Sequence, residues 1–284
     1  MVVLAEHKIK VRYLGGSAEN NVLPLYDGTT SIQGVGQALQ IATHAYLTGE
    51  VVSRATAMKG ARMFLRPTRP GSYLFEIITL LEAYPATSSA AVAVSAPVFY
   101  DFIKTAFSRA TGSLDAEPTA KHLKKVFERK DPPPLEKPAD LDDLAERLEG
   151  SLQRAHRPIS ELDGVDKIQI ETPRTKLITF DTASKDWVFT QEEDDGLQVL
   201  EGNVTRFNAL SRNGRAFLDQ LERVVPFRPS QDFPTEKLPM LTWSLHGRTA
   251  QLRNKLTFKV RKVRSAHGET KRIILVDCDM VPEK

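Results

Sequence analysis

Cysteine is nearly absent: Cys278 is the single one in 284 residues. The chain can therefore form no internal disulfide and no multi-cysteine zinc site. Long hydrophobic runs are missing too. The longest, Ile77 to Leu81 and Ala90 to Val94, fall far short of the ~20 residues a membrane-spanning helix requires. Met1 to Lys8 does not read as a signal peptide, so a reducing cytoplasm away from the membrane is the expected setting. Aromatic residues make up 7%, a thin supply for a protein that grips single strands by stacking. No Walker lysine, His-Glu-x-x-His or Gly-x-Ser-x-Gly occurs, which removes the common NTPase, zinc-protease and hydrolase readings and implies no cofactor. What remains is ample for a packed core: 41% hydrophobic residues plus 16 glycines lie in the globular range, and the length suggests about two domains.

Charge is present but unevenly spread. The net of +3 combines a net of +7 over residues 197–284 with −4 over residues 1–196. A basic C-terminal third on a mildly acidic remainder predicts two units with different partners, the basic one meeting phosphates.

The pattern predicts an α+β protein. Residues 1–191 read as a mixed helix and sheet domain. Strands are expected at His7 to Leu14, Val22 to Tyr26, Gly60 to Arg66, Ser72 to Leu81, Lys167 to Glu171 and Lys176 to Phe180. A helix is expected from the capping-box spacing at Thr30 to Gln33 as far as Gly49, crossing a sheet that contains Val11, Phe64 and Phe75. Further helices are expected at Pro97 to Ala110, Glu117 to Lys130 and from Asp140 to Leu152. Asp131-Pro132-Pro133-Pro134 opens a possible internal linker over 131–139, and the acidic Glu192 to Gly196 a second one. Residues 197–284 read as β-β-β-α-β-β. Gly202 bends the first strand, Asn213-Gly214 makes a two-residue type I′ turn, and a helix covers Lys237 to Gln251. That order predicts a small five-stranded OB-like barrel with one helix, in which strand one curves to serve both sides of the closure.

Several residues together resemble an uncharacterised family of two-part bacterial proteins. In the first part they are Tyr13-Leu14-Gly15-Gly16, Leu25-Tyr26-Asp27, the helix through Gly34 and Ala38-Leu39, and Pro70-Gly71-Ser72-Tyr73. In the second they are Gly202-x-Val204-x-x-x-Asn208, Gly214-Arg215, Pro226-Phe227 and Lys271-Arg272. The resemblance implies an α+β domain followed by a small OB- or SH3-like barrel, and an association with mobile elements or phage defence. It assigns no functional residue.

The strongest chemical pattern is basic. In the strand after Asn254, Leu256, Phe258 and Val260 alternate with Lys255, Lys259 and Arg261, so the cations form a ridge that suits a phosphate backbone. Arg264, Lys271 and Arg272 extend it, and Arg206 and Arg215 add cations around the first hairpin. These eight are the expected nucleic-acid-binding residues; the alternative for them is an ordinary charged outer face. Asp277 and Asp279, two apart in a strand, share a face and could hold a divalent ion or simply meet solvent. The six histidines form no pair at ligand spacing, and Gly34-Val35-Gly36, lying inside a helix, reads as a close-packing site. Three functions follow: a non-catalytic nucleic-acid-binding or complex-organising subunit; a protein-interaction component, or homo-oligomer, assembled through the N-terminal domain; and an enzyme of unrecognised type using carboxylates such as Asp27, Glu50 and Glu76.

Overall fold

The computed structural model describes residues 3–53, 60–67, 73–82, 96–113, 116, 119, 139–189, 192–249, 254–265 and 268–281. The chain divides into two compact units, Met1–Val188 and Phe189–Lys284, and it mixes helices and sheets as the α+β expectation states.

In the first unit, strand β1 (Val3–Leu14) is central. It pairs antiparallel with β3 (Leu74–Glu82) on one side and β4 (Lys167–Glu171) on the other; β2 (Ala61–Pro67) and β5 (Lys176–Phe180) form the edges. Alternation along β1 turns His7, Ile9, Val11 and Tyr13 into the interior, each at most 2% exposed. There they meet helices α1 (Leu25–Thr48), α2 (Ala96–Ala110) and α3 (Leu141–Ala155). A sheet with one buried face and helices packed on it is the two-layer solution for such patterns.

The predicted strand at Val22 to Tyr26 is replaced by the start of α1. Pro24, with φ −52°, is its N-cap, and proline's fixed dihedral leads readily into the first turn. The capping box at Thr30 to Gln33 consequently lies inside the helix. Ser31 serves packing instead: its hydroxyl accepts from Tyr13 Oη at 2.9 Å and donates to the Ala155 carbonyl at 2.6 Å, joining sheet, α1 and α3. Gly34 lets the two helices touch, since a Cβ there would stand 2.4 Å from Ala155 N. Phe64 lies in the sheet, as expected, but outside the core. It is 47% exposed on an edge strand, with Arg62 over its ring, while Ala61 and Met63 take the inward positions. Asp140 caps α3 through its side chain, which accepts from the amides of Asp142 and Asp143. Helix α4 (Thr182–Phe189) has no counterpart in the sequence reading. The expected basic helix over 117–130 and the proline run at 131–134 fall outside the described residues apart from Thr119, as do the turn at 68–72 and the Ala- and Ser-rich stretch up to Ser95.

The second unit is a closed five-stranded barrel. Strands β7 (Gln198–Phe207), β8 (Gly214–Leu218) and β9 (Arg223–Pro229) form a meander; helix α5 (Leu238–Thr249) follows, then β10 (Leu256–Arg264) and β11 (Thr270–Met280). β11 pairs parallel to β9 and antiparallel to β10, and β10 returns to β7. This is the OB-like order the sequence predicts. Gly202 sits where β7 changes partners, opposite Leu256 of β10 and Leu218 of β8. The interior holds Leu200, Val204, Ala216, Leu218, Val225, Phe227, Leu256, Phe258 and Val260. Helix α5 adds Leu241 to that core, and its Ser244 hydroxyl accepts from Val204 N–H at 3.1 Å.

Three details differ from expectation. The first hairpin has a longer loop over 208–213, ordered by the Asn208 side chain, which accepts from the amides of Leu210 and Ser211; the positive φ falls on Arg212 rather than on Asn213-Gly214. In β11 the register jumps from Asp277 opposite Lys259 to Leu275 opposite Val260. Unbroken alternation would place Ile274 and Val276 inward with Cys278; the bulge at Val276 keeps Cys278 in the barrel core but brings Ile273 and Leu275 there instead. Finally, the acidic stretch read as a linker contains strand β6 (Glu192–Glu193), which pairs with the end of β10.

Candidate nucleic-acid interface

Along β10 the predicted alternation holds. Leu256, Phe258 and Val260 are fully buried, Lys255, just before the strand, and Lys259 are exposed, and Arg261 and Arg264 are half-buried. Each of these cations meets a carboxylate. Lys255 Nζ lies 2.5 Å from Asp219 Oδ2, and Lys259 Nζ 3.2 Å from Asp277 Oδ2 and 3.9 Å from Asp279 Oδ2. Arg261 Nη1 is 3.2 Å from Glu193 Oε1. Arg264 clasps Asp194, its Nε 3.0 Å from both carboxylate oxygens and its Nη2 2.9 Å from one, and Arg264 Nη1 also donates to the Gly268 carbonyl at 3.0 Å. The ridge is thus a lattice of partly exposed ion pairs. Such pairs contribute little to stability because water and salt screen them, so a polyanion can compete for the cations.

The remaining predicted residues are not gathered on that ridge. Arg215 is 6% exposed and Lys271 2%. Arg206 is half-buried directly opposite Arg215 on the neighbouring strand, and Arg272 is half-buried opposite Val263. Lys262, on the inward parity of β10, is 8% exposed, and burial, with Arg264 nearby, holds its ammonium below the ordinary lysine range.

Asp277 and Asp279 do share a face, but an ammonium occupies it: Lys237 Nζ donates to Asp277 Oδ1 and Asp279 Oδ1, each at 2.7 Å. Those two hydrogen bonds push the Lys237 pKa well above its usual value, and the Asp277 carboxyl is held low chiefly by Lys237 and Lys259, against the opposing effect of its burial. Among the described residues no group of three or more His, Cys, Asp or Glu is arranged to hold a metal ion. Of the N-terminal carboxylates, Asp27 pairs with Arg157 at 2.8 Å and Glu76 with Arg66 at 3.1 Å.

Sequence reasoning does not single out Glu193, Asp194, Asp219 or Lys237 as members of this face. The Glu192 to Asp195 run was a signal, since a block of acids on the same chain as a cationic strand has an obvious complement, but which cation each acid meets depends on strand register.

His156 and His7 are structural. His156 is fully buried under Phe180, ring centroids 4.4 Å apart. Its Nδ1 faces the Leu152 carbonyl at 2.7 Å and must carry the proton; Nε2 lies 3.0 Å from Ser184 Oγ. Burial pushes its pKa down to about 4. The unfolded chain takes up this proton near the ordinary value of about 6.5. Stability from the neutral ring is therefore fully present above pH 6.5 and lost as pH falls toward 4, to the extent of about 3 kcal/mol. His7, stacked on Phe99 at 4.7 Å and likewise depressed by burial, acts in the same direction. The midpoint of urea unfolding should fall steadily from pH 6.5 to 4; a midpoint unchanged over that interval would contradict the neutral-histidine assignment.

Fold and site together define a two-unit protein in which a helix-on-sheet domain precedes a closed barrel bearing an ion-paired cationic strand. The chain belongs to the family built on a domain of unknown function (DUF7946), whose model matches residues 9–189. No curated protein and no solved structure matches it. No helix among the described residues is long and apolar enough to cross a membrane.

Proposed function

We propose that the protein is a non-catalytic nucleic-acid-binding subunit whose barrel captures a phosphate backbone along β10 through Lys255, Lys259, Arg261 and Arg264. The observation that supports this reading is the division of one barrel strand into a buried aliphatic face and outward cations at Lys255, Lys259 and Arg261, joined at the strand end by Arg264, each paired with a carboxylate that keeps some contact with solvent. Arg206 and Arg272 are secondary contacts, whereas Arg215 and Lys271 are buried and would need to be uncovered first. Because a phosphate must displace a carboxylate at each position, the affinity expected at moderate salt is about micromolar, the range of sequence-independent binding. A cytoplasmic location and a role beside mobile elements or in phage defence, which the family resemblance implies, fit this reading, since both offer nucleic acid as a partner.

Fluorescence anisotropy with single- and double-stranded DNA and RNA, repeated over a salt series, tests the proposal. The association constant should fall with log salt by about 0.7 to 0.9 units per phosphate neutralised. Replacing Lys259 and Arg261 by Ser should weaken all sequences alike and flatten the slope by roughly two such units. The second reading is a protein-interaction or homo-oligomeric component, and the complete ion pairing of the ridge favours it. If no probe binds at 50–150 mM salt, a range of about physiological strength, or if the double substitution leaves the slope unaltered, that second reading takes first place.

A further inference from the structure

The cations of β10 are not all held alike. Lys255 and Lys259 pair with Asp219, Asp277 and Asp279, which belong to a 3-10 turn following β8 and to β11, integral parts of the barrel. Arg261 and Arg264 pair instead with Glu193 and Asp194. These stand in and just after β6, a strand of two residues that pairs, among the described residues, with β10, with Glu193 opposite Val263 and Glu192 opposite Arg264. Beyond the strand itself, the segment is tied down by Asp194 N–H donating to the Lys262 carbonyl at 2.8 Å and by Gln198 Nε2 donating to Asp194 Oδ2 at 3.1 Å. So short a ladder opens easily.

The geometry of these contacts is that of phosphate recognition. A guanidinium presents its donors in a fixed fork that takes a carboxylate or a phosphate bidentately, and Arg264 holds Asp194 in that way. Arg261 is incompletely used, because its Nε is buried without a hydrogen-bond partner. A phosphate offers more acceptor oxygens than the single contact to Glu193 supplies.

Resting on the nucleic-acid reading, we propose that Glu193 and Asp194 are an intramolecular stand-in for two phosphates, an acidic strap that covers the Arg261–Arg264 end of the interface until a nucleic-acid backbone displaces it. The strap raises the threshold for binding: short or sparse polyanions leave it in place, and a strand long enough to engage Lys255 and Lys259 as well drives it off.

The full-length protein carrying Glu193→Gln and Asp194→Asn tests this, because both substitutions preserve shape and the β6 backbone pairing. The probe is a labelled single strand of about 20 nucleotides, read by anisotropy over a salt series. The substituted protein should bind about tenfold more tightly at low salt, with a slope steeper by up to two phosphate units, since Arg261 and Arg264 would then exchange small counterions rather than carboxylates. Adding Arg261→Ser and Arg264→Ser to that background should remove the gain. A charge-matched control, Asp232→Asn with Glu236→Gln, alters two exposed acids between β9 and α5 and should change affinity by less than about twofold. An equal gain in the control would reduce the effect to net charge and overturn the strap. Equal binding by the parent and the strap variant would also overturn it while leaving the interface standing. Absence of binding by both would remove the nucleic-acid reading and the strap with it.

Discussion

Substituting Gly202 by Ala is expected to destabilise the barrel by about 3 kcal/mol or more, one of the two largest effects the structure implies. Gly202 lies where β7 passes from β10 to β8, and a Cβ there would stand 2.0 Å from the Phe217 carbonyl oxygen and 3.0 Å from its carbon. Those atoms belong to the β8 backbone, so no rotamer change relieves the clash. The strands must separate, and closure of the barrel depends on both of their ladders. Overpacking against fixed backbone is among the few mechanisms that produce effects this large. Thermal unfolding followed by circular dichroism should show the barrel midpoint lowered on the order of 15 °C for a unit of this size. Gly196→Ala, where nothing lies within 4 Å of the added carbon, should have almost no effect. Equal midpoints for the two variants would show that the bend tolerates a side chain.

Tyr46→Asp should cost the N-terminal unit about 4 kcal/mol. Tyr46 is 4% exposed on α1 and packs against Phe99 and Phe102 of α2, with ring centroids 5.4 and 5.2 Å away. Burial alone drives its hydroxyl pKa far above the usual tyrosine value, and a carboxylate there would face the same low-polarity surroundings. The substitution loses the aromatic contacts and buries a charge in those surroundings, two penalties that add. Against a total stability of about 5–15 kcal/mol, that approaches unfolding. Tyr46→Phe keeps the ring and should cost no more than about 1 kcal/mol. Denaturant titration of both variants decides the matter: a shared midpoint would place α1 away from α2 in solution.

Much of this architecture was legible in the sequence because it rests on local periodicity. The alternation of Ile9, Val11 and Tyr13, the 3.6-residue stripe through Val35, Leu39, Ala42 and Tyr46, and a mid-strand glycine in a β-β-β-α-β-β order each follow from short-range rules. What periodicity cannot supply is register. One bulge at Val276 shifted the inward set of β11 by one residue on the Leu275 side while leaving Cys278 inward, and Pro24 converted an apparent strand into a helix start. The candidate interface divided in the same way. The outward cations of β10 could be read from alternation, whereas their partners could not, because Asp219, Asp277, Glu193 and Asp194 come from sequence positions up to 70 residues from the cation each meets. Arg109 shows the same gap. Its burial at 1% exposure beside Asp142 and the Ala116 carbonyl depends entirely on tertiary placement.

The shared use of β10 also governs how the barrel can be made. β6 and the first half of β7 both pair with β10, the former at Val263 and Arg264, the latter from Leu256 to Val260. β9 likewise meets its second neighbour only when β11 exists. During synthesis the ribosome therefore releases β7, β8 and β9 as an open three-stranded meander with two bare edges, and nothing can seal them until residues 256–280 emerge. Contacts so distant in sequence form late, and unpaired edges invite pairing with other chains in the interval. The barrel thus passes its period of greatest aggregation risk with its cationic strand still unmade, and the basic charge of β10 arrives together with the strand that ends that risk.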